Sequence, residues 1–162
     1  MTALHARAFQ SGDTPALTAI LNTIIAAGGT TGYEVPFTPE ALRLRHFDGA
    51  GVLCCHSAVL DDLPVGFQSL TAKPSLPVGW GVIATFTRRD PPVKGAGRAL
   101  FAATQARAKV LGLTHLHATI RADNVPGLAY YAAIGFVDHA VIAGPPMRDG
   151  RRIDRVIRHF AL

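Results

Sequence analysis

One hundred and sixty-two residues make one domain of ordinary size, long enough to bury a core without help from disulfides or metal. Apolar residues make up 49% and charged residues 17%, which excludes a disordered regulator, and no apolar run approaches the roughly 18 residues of a membrane span. Sixteen Lys and Arg against eleven Asp and Glu leave a net charge of +5, mild basicity that suits an anionic small ligand but forms no aromatic-interleaved stripe for nucleic acid.

The N-terminus lacks a signal-peptide layout, so the reading is a soluble, cytoplasmic protein with neither membrane nor nucleic acid as partner. Residues 4–9 read as a first strand. Ser11-Gly12-Asp13-Thr14-Pro15 then forms a turn into a helix, with proline at an early helical position. Leu17, Ile20, Leu21, Ile24 and Ile25 recur at helical spacing as far as Gly28-Gly29 and give that helix one core-facing side. A loop over 30–37 leads to a second helix that opens at Thr38-Pro39-Glu40 and closes near Gly49. The pattern then changes period. Residues 51–59, 65–72 and 80–87 are short runs rich in Val, Phe, Thr and Leu, and predict an antiparallel meander. Cys54 and Cys55 are adjacent in the first run, where they point to opposite faces and cannot form a zinc corner. A helix over 95–111, a strand over 114–121, a helix over 125–134 and strands over 136–143 and 152–160 complete the chain. This alternation implies parallel pairing through crossover helices. The expected fold is α/β: a single mixed sheet of about seven strands with helices on both faces, in one domain over 1–162. Leu76, Trp80 and Phe160 are apolar positions whose exposure would fit a homodimer.

The segment from Thr85 to Leu100 carries the most chemistry. A strand ends, a turn follows, and a helix starts on Gly95-Ala96-Gly97, where bare backbone N–H groups can approach a phosphate. Lys94 and Arg98 flank the turn and can add charge-assisted contacts. A plain loop-to-helix junction is the competing account. The turn is not a Walker A loop, because no Gly-Lys-Ser/Thr follows, and not the Rossmann fingerprint, because Leu100 stands at the third glycine. Downstream, Asn124 stands at a strand-to-helix corner, Tyr130-Tyr131 follow within the helix, and Gly135-Phe136 leads into the next strand.

Together these two motifs resemble the GNAT superfamily of acyl-CoA-dependent N-acyltransferases, whose diphosphate-binding turn reads Arg/Gln-x-x-Gly-x-Gly/Ala and whose next helix often reads Asn…Tyr…Gly-Phe. The match spans residues 80–138, and the order of elements extends it over nearly the whole chain. Gly28 to Glu34, Thr38-Pro39-Glu40 and the closing segment from Gly150 to Asp154 are similar to the phosphinothricin and amino-acid N-acetyltransferase group. The resemblance implies acetyl-CoA as acyl donor, no metal, and an amino-acid-like primary amine as acceptor. It implies that Phe86, Thr87, Val93, Lys94, Gly95, Ala96, Gly97, Arg98 and Asn124 bind the coenzyme, with a backbone N–H on the strand near Phe86 polarising the thioester carbonyl. Tyr131 is the implied catalytic acid at the sulfur, and Tyr33 and Glu34 are implied contacts for the amine. Tyr33 and Tyr131 also have plain readings as core cover.

The chain departs from the family pattern at three places. Pro92 stands where the turn usually has Arg or Gln, Val93 where a further Gly is common, and Val82 where relatives often carry a Glu. The general base is therefore open between Glu34, His117 and water. His115 and His117 share a strand face but have no third metal ligand at suitable spacing. The altered turn and the missing Glu leave a non-catalytic acyl-CoA-binding module as the alternative, and a basic domain reading nucleic acid or ribosomal protein tails as a more distant one.

Overall fold

The computed structural model describes residues 3–162; Met1 and Thr2, on which the leader reading partly rests, lie outside the described residues. Seven strands form one sheet: β1 (Leu4–Ala8), β2 (Val52–Leu60), β3 (Leu63–Thr71), β4 (Trp80–Thr87), β5 (His115–Arg121), β6 (Val137–Ile142) and β7 (Arg155–Ala161). Their order is β1-β2-β3-β4-β5-β7-β6. The first four strands make the antiparallel meander expected from the sequence, with β1 folded back on β2.

Four helices complete the fold: α1 (Thr14–Ala27), α2 (Pro39–Leu42), α3 (Ala96–Val110) and α4 (Val125–Ala133). On one face of the sheet, α1 buries Leu17, Leu21 and Ile25 against Cys55 and Phe67, and Leu42 of α2 joins them. Each such side chain contributes about 1.5–3 kcal/mol by leaving water. On the other face, Phe101 and Ala108 of α3 and Tyr131 of α4 pack on Leu70, Ile83, Leu116 and Ile120. Cys54 packs on the α3 face and Cys55 on the α1 face, as a two-residue period requires. The α1 start is fastened by Asp13, a buried carboxylate that accepts two bonds from Arg7 at 2.8 and 2.9 Å and one from Ser57 at 2.7 Å.

The second helical stretch opens at Thr38 and closes at Asp48, beside Gly49, as expected, but after Leu42 it widens into a π-helical turn over Arg43–Phe47, which turns both His46 and Phe47 inward. Two expectations are corrected. In the second half only β4 and β5 pair in parallel; β5 and β6 run in the same direction, but β7 slots between them and pairs antiparallel with both. A late strand can enter the middle of a sheet, which chain order alone does not reveal. Leu76, Trp80 and Phe160 are each half-buried: Trp80 stacks on His115 at 4.5 Å, and Phe160 packs edge-on to Phe101 at 5.2 Å. Val137, Val141 and Ile142 on β6 are exposed apolar side chains that lie close together in sequence, and others, such as Leu63, Val78 and Val125, are scattered.

Candidate active site

The site begins where two strands part. β4 and β5 pair only at Trp80–His115, Gly81–Leu116 and Val82–His117. Beyond Val82, β4 stays on β3 through Thr87, and β5 stays on β7 through Arg121, so a gap opens between them. The direction of the amides along β4 follows from both ends of the strand. Thr114 N–H donates to the Gly79 carbonyl at 2.8 Å, which faces odd-numbered residues toward β5. Arg88 N–H donates to the Val65 carbonyl at 2.8 Å, which faces even-numbered residues toward β3. The Phe86 N–H therefore belongs to the β3 ladder, and Thr85 and Thr87 present their amides to the gap. The amides near Phe86 that face the gap are thus those of Thr85 and Thr87, while the Phe86 ring packs on Phe67 at 5.4 Å.

Next to the gap, α3 starts at Gly95, whose φ of +87° only glycine adopts without strain. The first-turn amides of a helix have no carbonyl within it to bond. Ala96 N–H reaches Val93 O at 3.2 Å, and the Gly97 and Arg98 amides have no backbone partner among the described residues. Gly97 is glycine for a second reason: a Cβ there would meet the Tyr130 ring at 2.5 Å. A cavity of about 410 Å³ lies here, lined by Phe86, Thr87, Val93, Gly97, Asn124 and Tyr131 among others. Lys94, Gly95 and Arg98 stand exposed outside that lining, and the Ala96 side chain is fully buried. Asn124 has both ends of its amide in use. Its Oδ1 accepts from Gly127 N–H at 3.0 Å, capping α4, and its Nδ2 donates to the Thr30 carbonyl at 3.0 Å.

A second cavity, of about 600 Å³, opens on the α1 face and shares Thr85, Phe86, Asn124 and Tyr131 with the first, so the two form one groove through the gap. Four cations line it: Arg45, Lys73, Arg121 and Arg155. Arg121 is held by Asp123 at 2.8 Å and by the Thr31 carbonyl at 3.0 Å, while Arg45, Lys73 and Arg155 have no carboxylate partner among the described residues. Burial, then the Arg121 charge, pulls the Arg155 guanidinium below its usual range. No carboxylate lines the cavity, and Val82 is part of its wall. Tyr33 lines it and bonds His46 Nε2 at 2.8 Å, while His46 Nδ1 meets Ser69 Oγ at 2.9 Å. Burial, with the Arg45 charge behind it, pushes His46 down to about 3, so the ring is neutral. Glu34 lies outside the lining, where its carboxylate accepts from Arg148 N–H at 3.0 and 3.1 Å.

Tyr131 sits where the cavities meet, its hydroxyl 2.9 Å from Thr85 Oγ1, and burial raises its pKa well above the phenol range. Tyr130 beside it donates to the Gly97 carbonyl at 2.7 Å. His117 bonds His159 at 3.1 Å and Thr119 at 3.2 Å, and burial lowers it to about 4. No three His, Cys, Asp or Glu among the described residues are arranged to hold a metal ion. Sequence reasoning missed His46, Gln68, Thr85 and the arginines at 45, 121 and 155. Only the alternation of Arg121 and Arg155 with apolar residues on their strands hinted that those two face inward.

Residues 22–136 match the profile of the acetyltransferase (GNAT) family. The chain belongs to the GNAT acetyltransferase family. No curated protein matches it by sequence at a significant level. The GNAT fold extends over its full length. A ribosomal-protein-alanine N-acetyltransferase from Brucella melitensis superposes with TM-score 0.83 at 21% identity, covering 97% of this chain and 99% of the other. A phosphinothricin acetyltransferase from Sinorhizobium meliloti, in complex with acetyl-CoA, superposes with TM-score 0.84 at 21% identity, covering 98% and 88%. An acetyltransferase from Salmonella typhimurium, with its cofactor acetyl-CoA, superposes with TM-score 0.82 at 18% identity, covering 99% and 94%. Among the described residues, no helix of this GNAT protein is long and apolar enough to cross a membrane.

Proposed function

We propose that residues 1–162 act as one cytoplasmic acetyltransferase domain, moving an acetyl group from acetyl-CoA to the primary amine of a small, amino-acid-like acceptor by direct attack. The observation that carries this reading is the gap beyond Val82, which joins the free amides at α3 to a cavity rich in cations. Gly97 and Arg98 amides suit a diphosphate, with Lys94 and Arg98 side chains adding charge. Thr85 and Thr87 amides supply the edge on which pantetheine lies and the donors toward the thioester carbonyl as its oxygen gains charge. Tyr131 donates a hydrogen bond to the departing sulfur. Arg45, Lys73 and Arg155, without a carboxylate partner among the described residues, favour an acceptor that carries a carboxylate besides its amine.

Cys54 and Cys55 supply no acyl-enzyme: neither lines the groove, and burial raises Cys54 to about 11 and Cys55 further. The lining holds no carboxylate, and His46 and His117 are neutral and hydrogen-bonded. Water therefore takes the amine proton, and the rate follows the ionisation of the amine itself. That same lack of a carboxylate favours, as a second reading, a module that binds acyl-CoA without turning it over. Thiol release from acetyl-CoA across a panel of amines, beside a thermal-shift titration with CoA, separates the two. Release stimulated by primary amines with a carboxylate supports the transferase. A CoA-induced shift with no release supports the binding module, and no shift at all overturns both.

A further inference from the structure

We propose that Gln68, in the middle of β3, is a positioning residue that fixes Tyr131 as a hydrogen-bond donor toward the thioester sulfur; the inference rests on the role given to Tyr131 above. Gln68 is fully buried and lies on the α3 face, opposite Thr85 in the β3–β4 register. Its Nε2 donates to Thr85 Oγ1 at 2.9 Å and to the Tyr130 hydroxyl at 3.0 Å.

The orientation of the amide follows from Tyr130. A phenol has one hydrogen, and Tyr130 gives it to the Gly97 carbonyl at 2.7 Å. Its oxygen can then only accept, so the Gln68 atom facing it must be the NH₂ group. The second N–H of that group falls to Thr85. Gln68 Oε1 is left buried with no partner among the described residues, an arrangement with a desolvation cost that packing alone would not select.

The direction then passes along the chain. Thr85 Oγ1 accepts from Gln68 and has its own hydrogen left for the Tyr131 oxygen at 2.9 Å. Tyr131 receives from Thr85, which leaves its O–H for the groove it lines. As negative charge develops on the sulfur, Tyr131 O–H donates to it, and the load on the Tyr131 oxygen is met by Thr85 and, behind it, by Gln68. Successive donors polarise one another in this way where water is excluded. The other arm ends on Tyr130, whose own bond to the Gly97 carbonyl holds the start of α3 without help from Gln68.

A double-mutant cycle tests this, with acetyl-CoA and the best amine from the panel. Gln68→Met and Thr85→Val are each expected to lower kcat about tenfold while KM for acetyl-CoA stays within about twofold. Thr85→Ser is expected to restore kcat. In a Tyr131→Phe background, Gln68→Met should lower kcat by less than about twofold, because the hydroxyl it directs is gone. Full kcat in Tyr131→Phe alone overturns the role of Tyr131 and this inference with it. A slow Tyr131→Phe whose kcat falls a further tenfold on adding Gln68→Met overturns this inference alone, as does a Thr85→Ser no better than Thr85→Val. Where Gln68→Met does not fold, the Thr85 pair in both backgrounds decides.

Discussion

The two ends of the groove are built in opposite ways. The end proposed for the coenzyme draws mainly on one short stretch, Thr85 to Arg98, with the start of α4 beside it, and offers main-chain amides that a strand end and a helix start leave unpaired. The end proposed for the acceptor gathers side chains from the loop after α1, the π-helical turn after α2, and strands β5 and β7. The difference teaches that a backbone site can be specified by local sequence, whereas a cavity of side chains exists only once distant elements have docked. It also gives the two ends separate handles, so a variant at either end should move one Michaelis constant and spare the other.

Tyr131→Phe, at the junction, should lower kcat by roughly 10²-fold, the low end for a general acid, because a thiol of pKa near 8.5 leaves readily. Steady-state kinetics should find both KM values unchanged; a change in either would mean that Tyr131 belongs to one end. Asp13→Asn should cost about 2 kcal/mol of stability, since it breaks a buried carboxylate pairing, and should leave both KM values alone. Its pH dependence has a definite sign. Burial, the largest single influence, would raise the Asp13 carboxyl, but the bonds from Arg7, Ser57 and the Gln10 amide together hold it below its ordinary value. The stabilisation is therefore present above about pH 4, the unfolded carboxylate range, and is lost as pH falls through the lower folded value. Denaturant melts of both proteins should converge in acid. Arg45→Ala should raise KM about tenfold for acceptors with a carboxylate, not for plain amines and not for acetyl-CoA. Lys94→Glu should raise KM for acetyl-CoA about fivefold, less at high salt because the side chain is exposed. If it altered acceptor KM equally, the division into two ends would fail.

The same division explains what could be read in advance. Helix periodicity from Leu17 to Ile25, the meander and the turn at Gly95 are local signals, and the seven-stranded mixed sheet follows them. The insertion of β7 between β5 and β6 was not legible, because strand order depends on which edge stays open after the others have paired. Nor was the π-helical turn that buries His46: Thr38-Pro39-Glu40 signals where a helix starts, and nothing nearby marks its change of pitch. Tyr33 and Glu34 are adjacent in sequence, yet one lines the cavity and the other holds the loop before β7, a separation set by the direction of one loop backbone. Gln68 gave no signal, standing beside Ser69 in a strand that reads as core.

Among the described residues, three residue pairs and the Thr114–Gly79 bond just before them splice the meander half of the sheet to the half formed by β5, β7 and β6. A pantetheine arm lying against Thr85 and Thr87 would act as a guest strand, bridging two panels that the chain itself barely stitches together. Coenzyme would then be mortar as well as reagent. Amide hydrogen exchange should slow across Ile83–Thr87 and along the facing part of β5 when CoA is added, even in a variant that has lost Tyr131.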